Sequence, residues 1–365
     1  MFTGIFVDDR DEVYAELLSN EDINFAYQGL QEIMDLRTIV LAAKPDIVAL
    51  DYRLDQHLNG FPASKTFKGG PLAQLLRDAA IEHPELDFPI ILVSSENNIR
   101  QIFNPDKTAH DLFDEVMIKE ELQESTDRAM RKMLALCEAY STLRGMGGEY
   151  HLSQMVGLPA DSLDIVDHQE LVQAVEVAGA PHIVSRIFAK LLIGRTGLLI
   201  DDAELCARFG VTLENAEIAS AALNEGGVER YSGLFSSDDR RWWAHQVDAF
   251  LVSVFGKRAT GLPSSVRATM LNERFNTGFQ PALSTWINGD EAANELIAFA
   301  CSCCRRGTEL RHSLAVYEPP QPSFIVRRRL CWDCIQTDNY KTGQNAFEIQ
   351  KSDQALIPKI LAARQ

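Results

Sequence analysis

Along the first 120 residues, short apolar runs of strand length alternate with stretches of helical periodicity. Gly4-Ile5-Phe6-Val7 runs into Asp8-Asp9, and Asp46-Ile47-Val48-Ala49-Leu50 runs into Asp51. Pro89-Ile90-Ile91-Leu92-Val93 runs into Ser94, and Val116-Met117-Ile118 runs into Lys119. Helical spacing covers 12–19 and 72–82. Continuous apolar strands belong to a sheet covered on both faces, and intervening helices make such strands parallel. The pattern therefore predicts an α/β domain with a doubly wound parallel sheet. Working residues in these sheets lie just past the carboxyl ends of the strands, and here all four runs end on a polar group.

Helical spacing then extends over 120–143, through Leu122, Ala129, Met133, Leu136, Cys137 and Tyr140, and stops at Gly145-Met146-Gly147-Gly148. The last sheet helix is thus expected to run on into a connector. Residues 150–300 read as mainly helical, with helices over 169–178, 183–192, 202–209, 216–223 and 242–255. The pair around Phe209-Gly210-Val211 has the layout of a helix-turn-helix. Four segments follow: 1–125 as the α/β domain, 126–148 as a connector helix, 149–295 as a helical domain and 296–365 as a small C-terminal module.

Charge separates the first segment from the rest. The chain of 365 residues has a net charge of −17, and residues 1–125 hold 10 Lys/Arg against 24 Asp/Glu, or −14 of it. An acidic surface argues against nucleic acid as a partner of that segment, because phosphate backbones demand basic residues. The near-neutral remainder leaves nucleic acid possible without favouring it. No apolar run nears the roughly 20 residues that span a bilayer, so no membrane association is expected. Met1-Phe2-Thr3-Gly4 lacks a basic start followed by an apolar stretch, so no secretion signal is expected and the chain reads as cytoplasmic.

The five strand-end residues carry chemistry together. Three carboxylates, Asp8, Asp9 and Asp51, repel one another and call for a cation. Magnesium suits them as a hard ion that takes oxygen ligands, and it keeps carboxylates ionised near neutral pH. An ionised Asp51 can then attack a phosphoryl group in line. The Lys119 ammonium can pair with the phosphoryl oxygens, and the Ser94 hydroxyl can donate to another of them. Any one of these residues alone reads as an ordinary turn residue. The combination does not.

Residues 1–125, through Val7-Asp8-Asp9, Leu50-Asp51, Val93-Ser94-Ser95 and Ile118-Lys119, resemble the receiver domain of two-component response regulators. The resemblance implies a flavodoxin-like sheet of five parallel strands with Asp51 as phospho-acceptor. It implies that Asp8 and Asp9 hold the metal, with the backbone carbonyl of Tyr52 as a further ligand. Ser94 and Lys119 would handle the phosphoryl group. The implied partner is a histidine kinase or GHKL-type ATPase of a bacterial phosphorelay, and a homodimer is possible. Three positions depart from the family: Glu120 replaces the usual proline, Val116 the usual aromatic switch, and Ser95 a smaller residue. The segment after Asp51, with Lys65, Lys68, Gly69 and Gly70, is long.

Five of the seven cysteines crowd into 301–334. Cys301-x-x-Cys304 and Cys331-x-x-Cys334 have the spacing of two knuckles closing on a four-thiolate zinc ion, a structural site in a zinc-ribbon-like module. Cys303 and His312 are possible substitute ligands. Strands are expected over 313–317 and 324–329 between the knuckles. Arg305, Arg306, Arg311, Arg327, Arg328 and Arg329 surround the cluster against Glu309, Glu318 and Asp333.

The chain thus reads as a signalling protein that takes a phosphoryl group onto Asp51 and relays it to a helical and zinc-bearing output region. Its own catalysis would amount to self-phosphorylation from a phospho-donor and slow dephosphorylation. Two alternatives remain: a pseudo-receiver adaptor that is never phosphorylated, and a nucleic-acid-binding effector acting through the C-terminal region.

Overall fold

The computed structural model describes residues 1–10, 12–56, 62, 65–122, 126–283, 296–342 and 346–363. Contacts divide the chain into two compact units. One is Met1–Lys190 with Ser232–Asp238, and the other is Leu191–Tyr231 with Asp239–Gln365.

The first unit is built on a five-stranded parallel sheet in the order β2-β1-β3-β4-β5. Its strands are β1 (Phe2–Val7), β2 (Ile23–Gln28), β3 (Ile47–Leu50), β4 (Ile90–Ser94) and β5 (Glu115–Ile118). Helices α1 (Val13–Leu17), α2 (Ile33–Ala43) and α3 (Gly69–Glu82) alternate with the strands, which is the flavodoxin-like α/β arrangement. Ile5, Val7, Val48, Leu50, Ile90 and Leu92 form one core face with Leu36 and Val40 of α2 and Leu72 and Leu76 of α3. The alternate residues Phe6, Ala49, Ile91 and Val93 are wholly buried too, so both faces of the sheet are covered, as continuous apolar strands require.

β2 and α2 did not register among the apolar runs. The burial of β2 alternates between buried and exposed along Ile23-Asn24-Phe25-Ala26, because an edge strand keeps one solvated face and so has no continuous apolar run. Helical structure after β5 is described as Lys119–Leu122 and Thr126–Gly145. The expected single helix over 120–143 crosses 123–125, which lie outside the described residues. Residues 57–61, 63 and 64 of the long segment after Asp51 also lie outside the described residues.

Helices Thr126–Gly145, Gln169–Glu176 and Pro181–Phe188 complete the first unit. They meet the amino ends of β4 and β5 through a buried polar network. Arg77 of α3 reaches Asp87 at 3.0 Å and Asp114 at 2.5 Å. Tyr140 donates to Asp114 at 2.6 Å, while the backbone N–H and ring Nδ1 of His182 lie 2.7 and 2.8 Å from Asp87.

The second unit packs helices Asp202–Phe209, Ala216–Glu225, Ala244–Phe255 and Ser264–Phe275 around Leu205, Phe209, Leu223, Trp242, Leu251 and Phe279. Trp242–Trp243 is a short strand, β7, antiparallel to β6 (Leu199–Ile200), so the helix expected from 242 starts at Ala244. Two bulky indoles fit a pleated strand better than a first helical turn. Arg267 is fully buried. Its guanidinium donates to the carbonyls of Arg208 at 2.8 Å and Ile297 at 2.6 Å, covering the open end of helix Asp202–Phe209. Burial lowers its pKa to about 10.

The C-terminal part adds antiparallel pairs β8 (Phe299–Ala300) with β9 (Gly307–Thr308), and β10 (Ser313–Ala315) with β11 (Arg329–Cys331). The strand expected over 324–329 therefore begins only at Arg329. The N–H of Arg328 is drawn instead to the Glu318 carboxylate at 3.2 Å, and that of Val326 to Thr196. No described helix is long and apolar enough to cross a membrane.

Candidate functional site

Strand register brings the expected residues together. Val7 pairs with Leu50, so Asp8 and Asp51, each the next residue, stand side by side at the carboxyl rim. Ser94 pairs with Ile118, which sets Lys119 beside it. Asp8, Asp9 and Asp51 are buried, and one carboxylate oxygen from each lies within 4.8 Å of the others. Lys119 Nζ is 2.7 Å from Asp8 Oδ2 and 3.8 Å from Asp51 Oδ2. The Ser94 hydroxyl donates to Asp51 Oδ1 at 2.6 Å.

Four carboxylates, Asp8, Asp9, Asp51 and Glu120, line the basin with the cations Lys119 and Arg10, so its balance is acidic. A divalent cation balances that, and its oxygen-only donor set is the kind magnesium takes. Burial pushes the Asp51 carboxyl pKa upward, and Lys119 and the Ser94 hydroxyl only partly offset it. A carboxyl with a raised folded pKa favours the protonated fold, so its contribution to stability is lost as pH rises through that pKa. At mildly alkaline pH with a chelator present, Asp51→Asn is therefore expected to melt above the unmodified protein. Saturating magnesium should close or reverse the gap, because the ion binds the three-carboxylate form. Paired melting scans check this.

The carbonyl of the fourth expected ligand already accepts a hydrogen bond. The Tyr52 carbonyl accepts the Gly69 N–H at 2.9 Å, and the Tyr52 ring lies against Phe103 with its hydroxyl on Asp106 at 3.0 Å. The same approach explains Gly69: a Cβ there would stand 2.5 Å from the Asp51 carbonyl oxygen.

Several supporting groups gave no strand-end signal. The Gln56 N–H donates to Asp9 Oδ2 at 3.0 Å, and Asn98 Nδ2 lies 3.4 Å from Ser94 Oγ. Ser95, at a position that is usually smaller, caps the turn that follows by accepting the Asn98 N–H. Glu120, in the place of the usual proline, accepts the Glu96 N–H at 2.9 Å. That bond ties the loop after β5 to the loop after β4. Val116 packs half-buried on the core and has no ring to swing.

The cysteine group is equally compact. Cys301, Cys304, Cys331 and Cys334 put their sulfurs within 4.8 Å of one another. Cys301 to Cys334 is 3.8 Å and Cys304 to Cys331 is 3.7 Å. Zinc–sulfur bonds of about 2.3 Å in a tetrahedron give sulfur–sulfur edges of about 3.8 Å, so the four thiols already have the dimensions of a zinc cage. All seven cysteines are free thiols. The Cys331 N–H donates to Cys301 Sγ at 3.2 Å, the kind of bond that favours thiolate. Cys303 lies outside the four-sulfur group, and His312 faces Glu309 at 2.5 Å.

In the helix-turn-helix pair, the exposed positions of the second helix, Glu217, Ala221, Asn224 and Glu225, include no base, and Glu217 pairs with Arg240 at 2.6 Å. An acidic helix face repels a phosphate backbone.

No family model and no curated protein matches the chain. Among solved structures it is similar to the Legionella pneumophila response regulator LqsR, at 11% identity and a TM-score of 0.27 over 40% of this chain and 47% of that one. It is also similar to NtrX from Brucella abortus, at 20% identity and a TM-score of 0.26 over 42% of this chain and 32% of that one. The chain thus spans less than half the length of either.

Proposed function

We propose that this chain is a receiver-bearing signalling protein in which Asp51 accepts a phosphoryl group from a partner's phospho-histidine. The observation that carries the reading is the convergence of Asp8, Asp9, Asp51, Ser94 and Lys119, from four strand ends, on one buried acidic cluster. Magnesium held by Asp8, Asp9 and Asp51 would neutralise the developing charge and orient the donor. An Asp51 oxygen forms the new bond to phosphorus while the bond to the leaving group breaks and the donor residue departs with that electron pair. Lys119 shifts from the carboxylates to the phosphoryl oxygens, and the Ser94 hydroxyl turns from Asp51 Oδ1 to one of them. The donor is a histidine kinase or GHKL-type ATPase in the cytoplasm, where the cysteine group stays reduced. The receiver function belongs to 1–125. The four-thiolate zinc site is structural, since it leaves no open coordination position.

The readout route differs from an aromatic switch at Val116. Movement of Ser94 is felt first at Asn98 and at the turn capped by Ser95. The chain next enters the π-helical turn Ile99–Phe103, whose Phe103 packs on Tyr52, the neighbour of Asp51.

The test is intact mass after incubation with magnesium and acetyl phosphate, or with a phospho-histidine donor. A gain of one phosphoryl group is expected, and none in Asp51→Asn. No gain from either donor in the unmodified protein would sink the reading and leave the adaptor, which shares the fold without the chemistry.

A further inference from the structure

Within the second unit a cavity of about 310 Å³ opens among three segments. The turn ahead of β6 forms one wall. It is fastened to the next wall by the Val326 N–H, which donates to the Thr196 carbonyl at 2.9 Å. At Gly197 a Cβ would lie 2.3 Å from the Phe324 carbonyl oxygen, so only glycine permits this approach. The first cysteine knuckle, with Ser302 and Arg305, closes the third side.

Six guanidinium groups line the cavity: Arg195, Arg241, Arg305, Arg327, Arg328 and Arg329. Three carboxylates stand near them. Asp201 pairs with Arg305. Glu318 serves both Arg195, at 2.9 Å, and Arg328, at 3.8 Å. Glu204 is engaged by Arg208 and by the Ala300 N–H, and burial pushes its carboxyl toward the neutral form. Arg327, Arg329 and Arg241 bond neutral acceptors: Gln350, Ser313, and the carbonyls of Ile193 and Asp239. A fourth carboxylate, Asp353, acts on Arg329, so at least two positive charges are in excess within one concavity. The thiolates do not account for them, because the arginine turned toward that cluster is Arg306, which pairs with Asp333 and stays out of the lining. Phe299 and Phe347 add apolar surface to the same walls.

We propose that this cavity binds a phosphate-bearing small molecule of nucleotide size. Guanidinium forks take phosphate oxygens in paired N–H···O contacts, which a lysine cluster would not match in geometry. The two phenylalanines accommodate the organic part, and the volume is that of a small-ligand site rather than a groove for a duplex. This site is independent of Asp51 and its chemistry.

Isothermal titration of the zinc-loaded full chain with ADP and with pyrophosphate, in magnesium-free buffer, is the test. Saturable ADP binding competed by pyrophosphate is expected. It should weaken at least about tenfold in Arg327→Gln and in Arg195→Gln, the loss of one charged hydrogen-bond pair. Arg100→Gln, which removes the same charge from the receiver, should leave binding unchanged. Arg327 is exposed and bonds Gln350, so its variant is the safer one, checked by zinc content and melting temperature. Binding of neither probe would overturn the proposal, as would affinities unmoved in both variants. So would a single-stranded oligonucleotide that binds and that ADP cannot displace, since the cleft would then be a nucleic-acid surface.

Discussion

Cys331→Ser is expected to cost the protein its zinc and, with it, the folded state of the C-terminal module. The apolar core around the cysteines is small: Leu314, Val316, Leu330, Ile335, Tyr340, Ile349 and Ile360, with the cysteines themselves among them. The strands are equally short, at three residues each for β10 and β11. So small a core offers little apolar burial to hold this part of the second unit in place by itself. Structural zinc contributes on the order of 10 kcal/mol of binding free energy that is also folding free energy. Cys331 begins the helix Trp332–Gln336, and its N–H holds Cys301 Sγ, so its loss breaks both knuckles at once. Metal analysis should show one zinc per chain falling to none. Proteolysis should then cut within 301–363 while the α/β domain stays intact. A chelator strong enough to strip zinc should reproduce the pattern, and added zinc should reverse it in the unmodified protein only. If Cys331→Ser keeps its zinc and its protease resistance, the four-thiolate assignment is wrong.

The chain announced some of its structure more clearly than the rest. Central strands β1, β3 and β4 were legible because burial on both faces writes continuous apolar runs, while the edge strand β5 showed itself only through Val116-Met117-Ile118, and each run pointed to its polar terminus. Register did the remaining work: once Val7 pairs with Leu50, Asp8 and Asp51 have no choice but to be neighbours. β2 escaped because an edge strand alternates. Cysteine spacing located the compact four-sulfur group from sequence alone, since ligand geometry restricts how far apart two residues of a knuckle can lie. The strand between the knuckles was misplaced because Phe324 and Ile325 are buried in a turn rather than in a ladder. The arginine cavity was visible only as scattered basic residues. Arg195 and Arg241 lie far along the chain from Arg305 and Arg327, and nothing in spacing tells that they face one space. The polar network at the far end of the sheet was missed for a related reason, since Asp87 and Asp114 precede their strands and strand starts had drawn no scrutiny.

That network should make Arg77→Leu the most damaging single substitution in the first unit. Arg77 is almost fully buried and serves Asp87, Asp114, the Phe88 carbonyl at 2.9 Å and the Leu112 carbonyl at 3.2 Å. Leucine fills much of the space but leaves two carboxylates buried without their cation, a loss of about 3–5 kcal/mol. For a unit of this size the melting temperature should fall by roughly 10 °C. The pH dependence separates lost charge pairing from lost packing. In the intact protein burial works to raise the Asp87 carboxyl, but the bonds from His182 and the charge of Arg77 outweigh it, and its pKa is lowered. A depressed carboxyl stabilises the fold above its unfolded pKa and loses that contribution as pH falls through the folded value. Without Arg77 the Asp87 carboxyl loses one of the effects that hold its pKa down, so burial weighs more heavily against its ionised form. The stability gap between protein and variant should therefore narrow as pH falls from 8 toward 5, and it should also shrink when Asp87→Asn and Asp114→Asn are added to Arg77→Leu. A gap constant with pH would mean that packing alone is lost. The consequence reaches the carboxylate basin, because Asp87 and Asp114 fix the entrances of β4 and β5, whose other ends deliver Ser94 and Lys119. Tyr140 and His182 bring the helices after the receiver onto the same two carboxylates. Labelling of Asp51 should thus fall in Arg77→Leu well below its melting temperature, at a distance from every residue that touches the phosphoryl group.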